Sequence, residues 1–112
     1  MTRETSERFD DILNAIERSL EYRARLADTD PSIASMAFDA ILRNLAVIGE
    51  AVRTLPTNAT AFAPEIPWAS ISGLRNIVIH EYFRIEPHLI QDIVDNELVP
   101  LADAIRRSNT IE

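Results

Sequence analysis

The chain reads as all-α, an up-and-down bundle of four to five helices, and three observations carry that reading. Apolar residues recur at three- and four-residue spacing almost throughout, while the strict alternation of a strand is scarce. Glycine occurs only twice in 112 residues. Helix-start signals at Asp30-Pro31, Pro67 and Glu86-Pro87 cut the chain into helix-length pieces joined by short connections. The length fits one domain over residues 1–112.

The elements follow in order. Phe9, Ile12, Leu13, Ile16 and Leu20 form one apolar stripe, predicting a first helix from Thr5 to Ala27. Asp30 can cap a second helix, and Pro31 suits its first position because the missing N–H would be unpaired there. Ile33, Met36, Ala37, Ala40, Ile41, Asn44, Ile48, Ala51 and Leu55 continue that helix to just before Pro56. The stretch from Pro56 to Ile66, with its prolines, threonines and asparagine, is a loop. A third helix restarts at Pro67 and runs through Trp68, Ile71, Leu74 and Val78. The last begins at Glu86-Pro87 and carries Leu89, Ile90, Ile93, Val94, Leu98, Leu101 and Ile105, with Pro100 expected to kink or split it.

Composition narrows the function classes. All 11 basic residues are arginine, and the net charge is −7, so any nucleic-acid binding must rest on a local arginine cluster. Without cysteine there are no disulfides and no thiolate metal sites. The N-terminal residues are polar and lack an apolar signal core. No uninterrupted apolar run approaches the roughly 18 residues that span a bilayer. The expectation is a cytoplasmic protein without membrane attachment. His80-Glu81 begins like a zinc-binding HExxH motif, but position 84 is arginine, so no metal site is expected.

The chemistry concentrates in Gly73-Leu74-Arg75-Asn76-Ile77-Val78-Ile79-His80-Glu81-Tyr82-Phe83. At about 100° per residue, Ile71, Leu74 and Val78 face the core, while Ser72, Gly73, Asn76 and His80 form a small polar stripe. Both Gly73 and Gly49 lie mid-helix, which points to close approach by another helix, subunit or ligand and gives modest support for a homodimer. Arg75 and His80 diverge by about 140° on an ideal helix. Either the helix distorts before His80, or the pair acts with the same residues of a second chain. Arg75 and Tyr82 share a face if the helix continues. Histidine suits proton transfer near neutral pH, and arginine pairs bidentately with phosphate, so the set fits RNA cleavage without metal by attack of a 2′-hydroxyl on the adjacent phosphorus. Asn76 can orient the imidazole or bind a phosphate oxygen. The plainer reading is an interfacial histidine, with Arg75 in a salt bridge to Glu81 or Glu86.

Arg75-x4-His80-x-Tyr82, with Asn76 after the arginine, resembles the signature of the HepT proteins of the HEPN superfamily. Pro64-Glu65-Ile66-Pro67-Trp68 followed by Ile71 and Gly73-Leu74 resembles that family's lead-in, and Arg43-Asn44-Leu45-Ala46-Val47-Ile48-Gly49-Glu50-Ala51 its second-helix block. The resemblance covers nearly the whole chain. It implies a HEPN-type homodimer with the Arg–His motifs of both chains meeting in a cleft, and a metal-independent endoribonuclease toxin acting on messenger or transfer RNA. It implies catalytic roles for Arg75, His80 and Asn76. It also implies a type VII-like toxin–antitoxin pairing with an MntA-like minimal nucleotidyltransferase, which transfers AMP from ATP onto the motif tyrosine, here Tyr82. This chain itself would need no cofactor. The alternative is a non-catalytic helical subunit that docks the nucleotidyltransferase. His88 reads as a surface residue, Asn44 as structural, and Trp68 as core or interface.

Overall fold

The computed structural model describes residues 2–111. Thr2 opens the first helix, α1 (Arg3–Arg23), because its hydroxyl accepts the Thr5 amide N–H at 3.1 Å and so satisfies a donor that a helix start leaves unpaired. The helix starts ahead of the predicted Thr5 because the capping threonine lies outside the apolar stripe. At its other end the chain tightens into a 3-10 turn, Ala24–Ala27.

The second helix, α2 (Pro31–Arg53), starts as its sequence predicts, with the Asp30 carboxylate accepting the Ser32 N–H at 2.9 Å. It is the central element, packed on α1 along one side and on the later helices along another. By length and composition alone α2 is apolar enough to cross a bilayer, but Ile41, Leu45 and Ile48 are buried inside the bundle. They meet Phe9, Ile12 and Ile16 of α1 in one core with Ile71, Ile90, Leu98, Leu101 and Ile105.

The loop after Pro56 contains a 3-10 turn, Thr57–Thr60. It is tied down by buried Ala63 and Ile66 and by Trp68, whose Nε1 donates to the Ala63 carbonyl at 2.9 Å. Trp68 also stacks edge-on against Phe62, at 5.9 Å between centroids.

The single third helix expected from Pro67 is two, α3 (Trp68–Ser72) and α4 (Leu74–Glu81). Gly73 lies between them at φ −77°, ψ −9°, and its N–H is shared between the carbonyls of Ala69 and Ser70, each at 3.2 Å. This is a tightened turn, and the Ile77 N–H bonding back to the Gly73 carbonyl at 3.2 Å carries the helical direction across it. A 3-10 turn, Tyr82–Arg84, then leads to α5 (Pro87–Ile93). The predicted split near Pro100 takes the form of a π-helical turn, Val94–Leu98, before α6 (Val99–Ile111). The ring of Pro100 crowds the carbonyl four residues back, at Asn96, and offers it no N–H, so the wider turn forms where that carbonyl lies. The result is four rods, α1, α2, α3–α4 and α5–α6, which is the predicted all-α bundle.

The tightest junction lies between α2 and the α3–α4 rod. A Cβ placed on Gly49 would lie 2.9 Å from the Arg75 amide nitrogen and 3.1 Å from the Ile71 carbonyl oxygen. The close approach inferred from Gly49 is therefore made by the chain's own backbone. A Cβ on Gly73 would meet the Ser70 carbonyl oxygen of its own turn at 3.3 Å. Neither glycine lends support to a second chain.

Gly49→Ala is expected to destabilise the domain by about 1–3 kcal/mol of overpacking, against roughly 1 kcal/mol of added helix propensity. A net loss near 1 kcal/mol lowers the thermal midpoint by about 5 °C in a domain of this size. Calorimetry checks this, and an unchanged midpoint would show that the helices can part without cost.

Candidate functional site

The sequence of α4 sorts its residues onto three sides. Leu74 is buried and Val78 half-buried, which fixes the inward side. Arg75 and Tyr82 fall at the edge that borders α2. Asn76, Ile79 and His80 share the outward side at helical spacing, and Phe83 follows, exposed, in the Tyr82–Arg84 turn.

Both edge residues are held by acidic groups of α2. Tyr82 Oη donates to Asp39 Oδ1 at 3.0 Å. That hydrogen bond, with the negative charge of Asp39, raises the phenol pKa above its ordinary value. Arg75 Nε lies 3.6 Å from Glu50 Oε2. Glu50 in turn takes a fork from Arg53, with Nη2 at 2.6 Å from Oε1 and Nε at 3.1 Å from Oε2. The Arg53 fork is the main reason that the Glu50 carboxyl is held below its ordinary pKa, with Arg75 and Arg8 adding to the effect. Asp39 and Glu50 are the only acidic residues of α2, and they lie on one face of it. The plainer sequence reading expected Arg75 to pair with Glu81 or Glu86. Instead Glu81 engages Arg84 at 3.6 Å and Glu86 engages His88 Nδ1 at 3.2 Å.

Arg75 and His80 stay apart within one chain. The helix runs without a break from Leu74 to Glu81, so the divergence expected of an ideal helix holds. Distortion comes only after His80, at Glu81, where φ is −116° and ψ 14°. His80 and Asn76 are exposed, and among the described residues their side chains form no hydrogen bond or ion pair. Asn76 therefore does not orient His80 within one chain. Their outward face is unusual in its apolar company, since Ile79 is 53 % exposed and Phe83 98 %. Met36 and Leu89 are exposed as well.

The remaining sequence expectations are placed simply. Asn44 is buried, with its Oδ1 accepting from Arg43 Nη1 at 3.3 Å. His88 is exposed. Among the described residues no three His, Asp or Glu side chains gather within reach of one metal ion. A cleft of about 470 Å³ beside Thr2, Pro56 and Phe62 contains none of the motif residues.

The family model described as Ribonuclease HepT-like matches residues 12–108. The chain belongs to the HepT-like ribonuclease family. A similar protein, named Probable ribonuclease HepT, from Thermococcus cleftensis is 29% identical over 101 residues, covering 90% of this chain and 92% of that one. A Methanocaldococcus jannaschii protein designated an RNase is 33% identical over 88 residues, 79% of this chain and 81% of its own length. Another from that organism is 44% identical over 59 residues, or 53% of this chain and 49% of the relative. The chain thus spans about half of that relative. It spans 42% of a longer one whose name joins a gamma-glutamylcyclotransferase to an RNase. No solved structure matches the chain significantly. The HepT-like assignment agrees with the all-α HEPN-type bundle.

Asp39 and Glu50 hold two motif residues, and sequence reasoning missed them. The available signal was that these are the only two carboxylates of α2 and that their eleven-residue spacing puts them on one face.

The Tyr82 phenol should ionise above the ordinary tyrosine range, and Asp39→Asn should bring it down. Alkaline titration of tyrosinate absorbance in a Tyr22→Phe background reads this directly. Because the folded state holds that proton more tightly, the stabilisation is fully present below the unfolded tyrosine pKa and is lost as pH rises through the folded one. The gap in melting temperature between parent and Asp39→Asn should therefore close at high pH. Equal phenol titrations in the two proteins would exclude the hydrogen bond in solution.

Proposed function

We propose that the chain is a metal-independent endoribonuclease whose site is completed by a second copy of itself. The observation that carries this is the outward face of α4. There His80 and Asn76 lie exposed among Ile79 and Phe83, with Arg75 held at the adjoining edge by Glu50. An exposed apolar face rimmed by polar residues is what a protein partner covers. Two-fold pairing through that face brings both motifs into one cleft and lets the Arg75 of one protomer serve the His80 of the other.

In that cleft the 2′-hydroxyl of the RNA attacks the adjacent phosphorus, and the bond to the 5′-oxygen of the next nucleotide breaks. His80 moves the proton, and Arg75 offsets the charge that builds on the phosphoryl oxygens. Asn76 holds a phosphate oxygen. The products are a 2′,3′-cyclic phosphate and a free 5′-hydroxyl. The substrates are cytoplasmic messenger or transfer RNA.

The same reading makes the protein the toxin of a toxin–antitoxin pair, silenced by an MntA-like nucleotidyltransferase that uses ATP. The Tyr82 oxygen bonds to the α-phosphorus of ATP, pyrophosphate leaves, and AMP remains on the phenol. Support comes from the position of Tyr82, 41 % exposed beside Asp39, a carboxylate placed to take the phenol proton. The bound nucleotide adds bulk and negative charge next to Arg75 and hinders RNA entry.

His80→Ala and Arg75→Ala should each lower cleavage of total RNA in excess chelator by about 100-fold or more, with helicity unchanged. Cleavage surviving in both variants would sink the enzyme reading and leave a helical subunit that docks the nucleotidyltransferase.

Phe83→Glu should yield monomers by analytical ultracentrifugation and remove activity with them. Mixing Arg75→Ala with His80→Ala chains should restore part of the activity. Failure of every mixed dimer would place each site within one chain.

A further inference from the structure

Among the described residues eight arginines form ion pairs, and the three that form none share one place, where Arg8 acts on Glu50 only through its charge. The three are Arg8, Arg18 and Arg43. All three line the furrow between α1 and α2. One cleft there, about 450 Å³, is walled by Arg8, Arg43 and Glu50 over a floor of Ala46, Val47 and Ala51. A second, about 220 Å³, adds Arg18 and Asn44 and shares Asp11, Arg43 and Val47 with the first. The two clefts adjoin along the α1–α2 furrow through these shared residues. Its length follows from the spacing of Arg8 and Arg18, about 15 Å along α1.

The local charge reverses that of the whole molecule. Arg8, Arg18 and Arg43 line the groove, and Arg53 and Arg75 hold its Glu50. The groove is thus lined by three guanidinium groups and two carboxylates, Asp11 and Glu50, in a chain whose net charge is −7. Glu50 is occupied by its two arginines, so it repels an incoming anion less than its charge suggests. Guanidinium groups without a carboxylate are free to fork onto phosphate oxygens. The floor of short aliphatic side chains suits ribose and base. Positive walls over such a surface are how proteins follow a single strand without reading its sequence. The groove also leads to the motif, because Glu50 touches Arg75 at 3.6 Å.

We propose that the α1–α2 groove lined by Arg8, Arg18 and Arg43 carries the sugar–phosphate backbone of single-stranded RNA on its way to Arg75. This rests on the ribonuclease reading for the identity of the polyanion. The groove acts as a holding site outside the reacting atoms. It feeds substrate to α4 while the rest of the acidic surface turns RNA away. An acidic protein partner is the rival occupant.

The test measures binding of a labelled, unstructured oligoribonucleotide by fluorescence anisotropy across a salt series, in the His80→Ala background so that the probe is not cut. Replacing Arg8, Arg18 and Arg43 together by glutamine should weaken binding roughly tenfold or more at low salt and flatten the log–log salt slope by about 2, near 0.7 per lost phosphate contact. Arg107→Gln, at an arginine paired with Glu65 away from the groove, should leave both readings unchanged. Arg43→Lys should recover most of what Arg43→Gln loses. Unchanged affinity and slope in the triple variant overturn the proposal, as does a triple variant that binds RNA normally but no longer binds the nucleotidyltransferase. The ribonuclease reading fails separately. A wild-type protein that never cuts RNA yet binds it through these arginines keeps the groove, whereas normal cutting and binding by a triple variant with His80 intact removes the groove alone.

Discussion

The structure depends on one backbone contact, where Gly49 of α2 meets the turn from α3 into α4. Main-chain atoms of Ile71, Ser72 and Arg75 occupy the space that a side chain at position 49 would fill. With the helices that close, two acidic side chains of α2 engage α4 and the turn that follows it. Asp39 takes Tyr82 and Glu50 takes Arg75. The apolar side of α2 remains available for Phe9, Ile12 and Ile16 of α1. The central helix thus serves the core with one side and the motif with another. The outward face of α4, with His80, is left in solvent.

Much of this was legible in the sequence where the signal was local. Asp30-Pro31 and Glu86-Pro87 mark helix starts because capping and a missing N–H act within a turn. The apolar stripes locate the core because burial follows helical period. The motif residues lie where periodicity puts them, including the divergence of Arg75 from His80. What was not legible was set by contacts between distant segments. The break at Gly73 looks like continuous helix in the sequence, since Ile71, Leu74 and Val78 keep their spacing across it. The partner of Arg75 lies 25 positions away at Glu50, where sequence reasoning looked nearby to Glu81 and Glu86. Gly49 signalled close approach, but only the structure names what approaches. Thr2 was passed over because a cap precedes the pattern it begins.

Net charge is a poor guide to local function in this chain. The acidic total argues against polyanion binding only if charge is evenly mixed. Most arginines are neutralised by neighbours, many within the same helix at three- and four-residue spacing, as with Arg3–Glu7 and Arg106–Asp103. Such exposed pairs contribute little to stability. Their effect is to cancel field elsewhere, so that the unpaired arginines dominate the one groove where they meet. The acidic surface and the arginine-lined groove are two parts of a single charge pattern.

The Gly49 contact has a genetic consequence. A crowded pair of side chains can be relieved by shrinking either partner, so a harmful change at one is open to a suppressor at the other. The atoms facing Gly49 are an amide nitrogen and carbonyl oxygens, which every residue type except proline presents alike. Substitution at positions 71, 72 or 75 cannot make room for a bulkier residue at 49. Reversion, or a shift of the whole rod that also moves Arg75 and Tyr82, is the route left open. Packing at Gly49 and the placement of Arg75 therefore depend on the same backbone atoms.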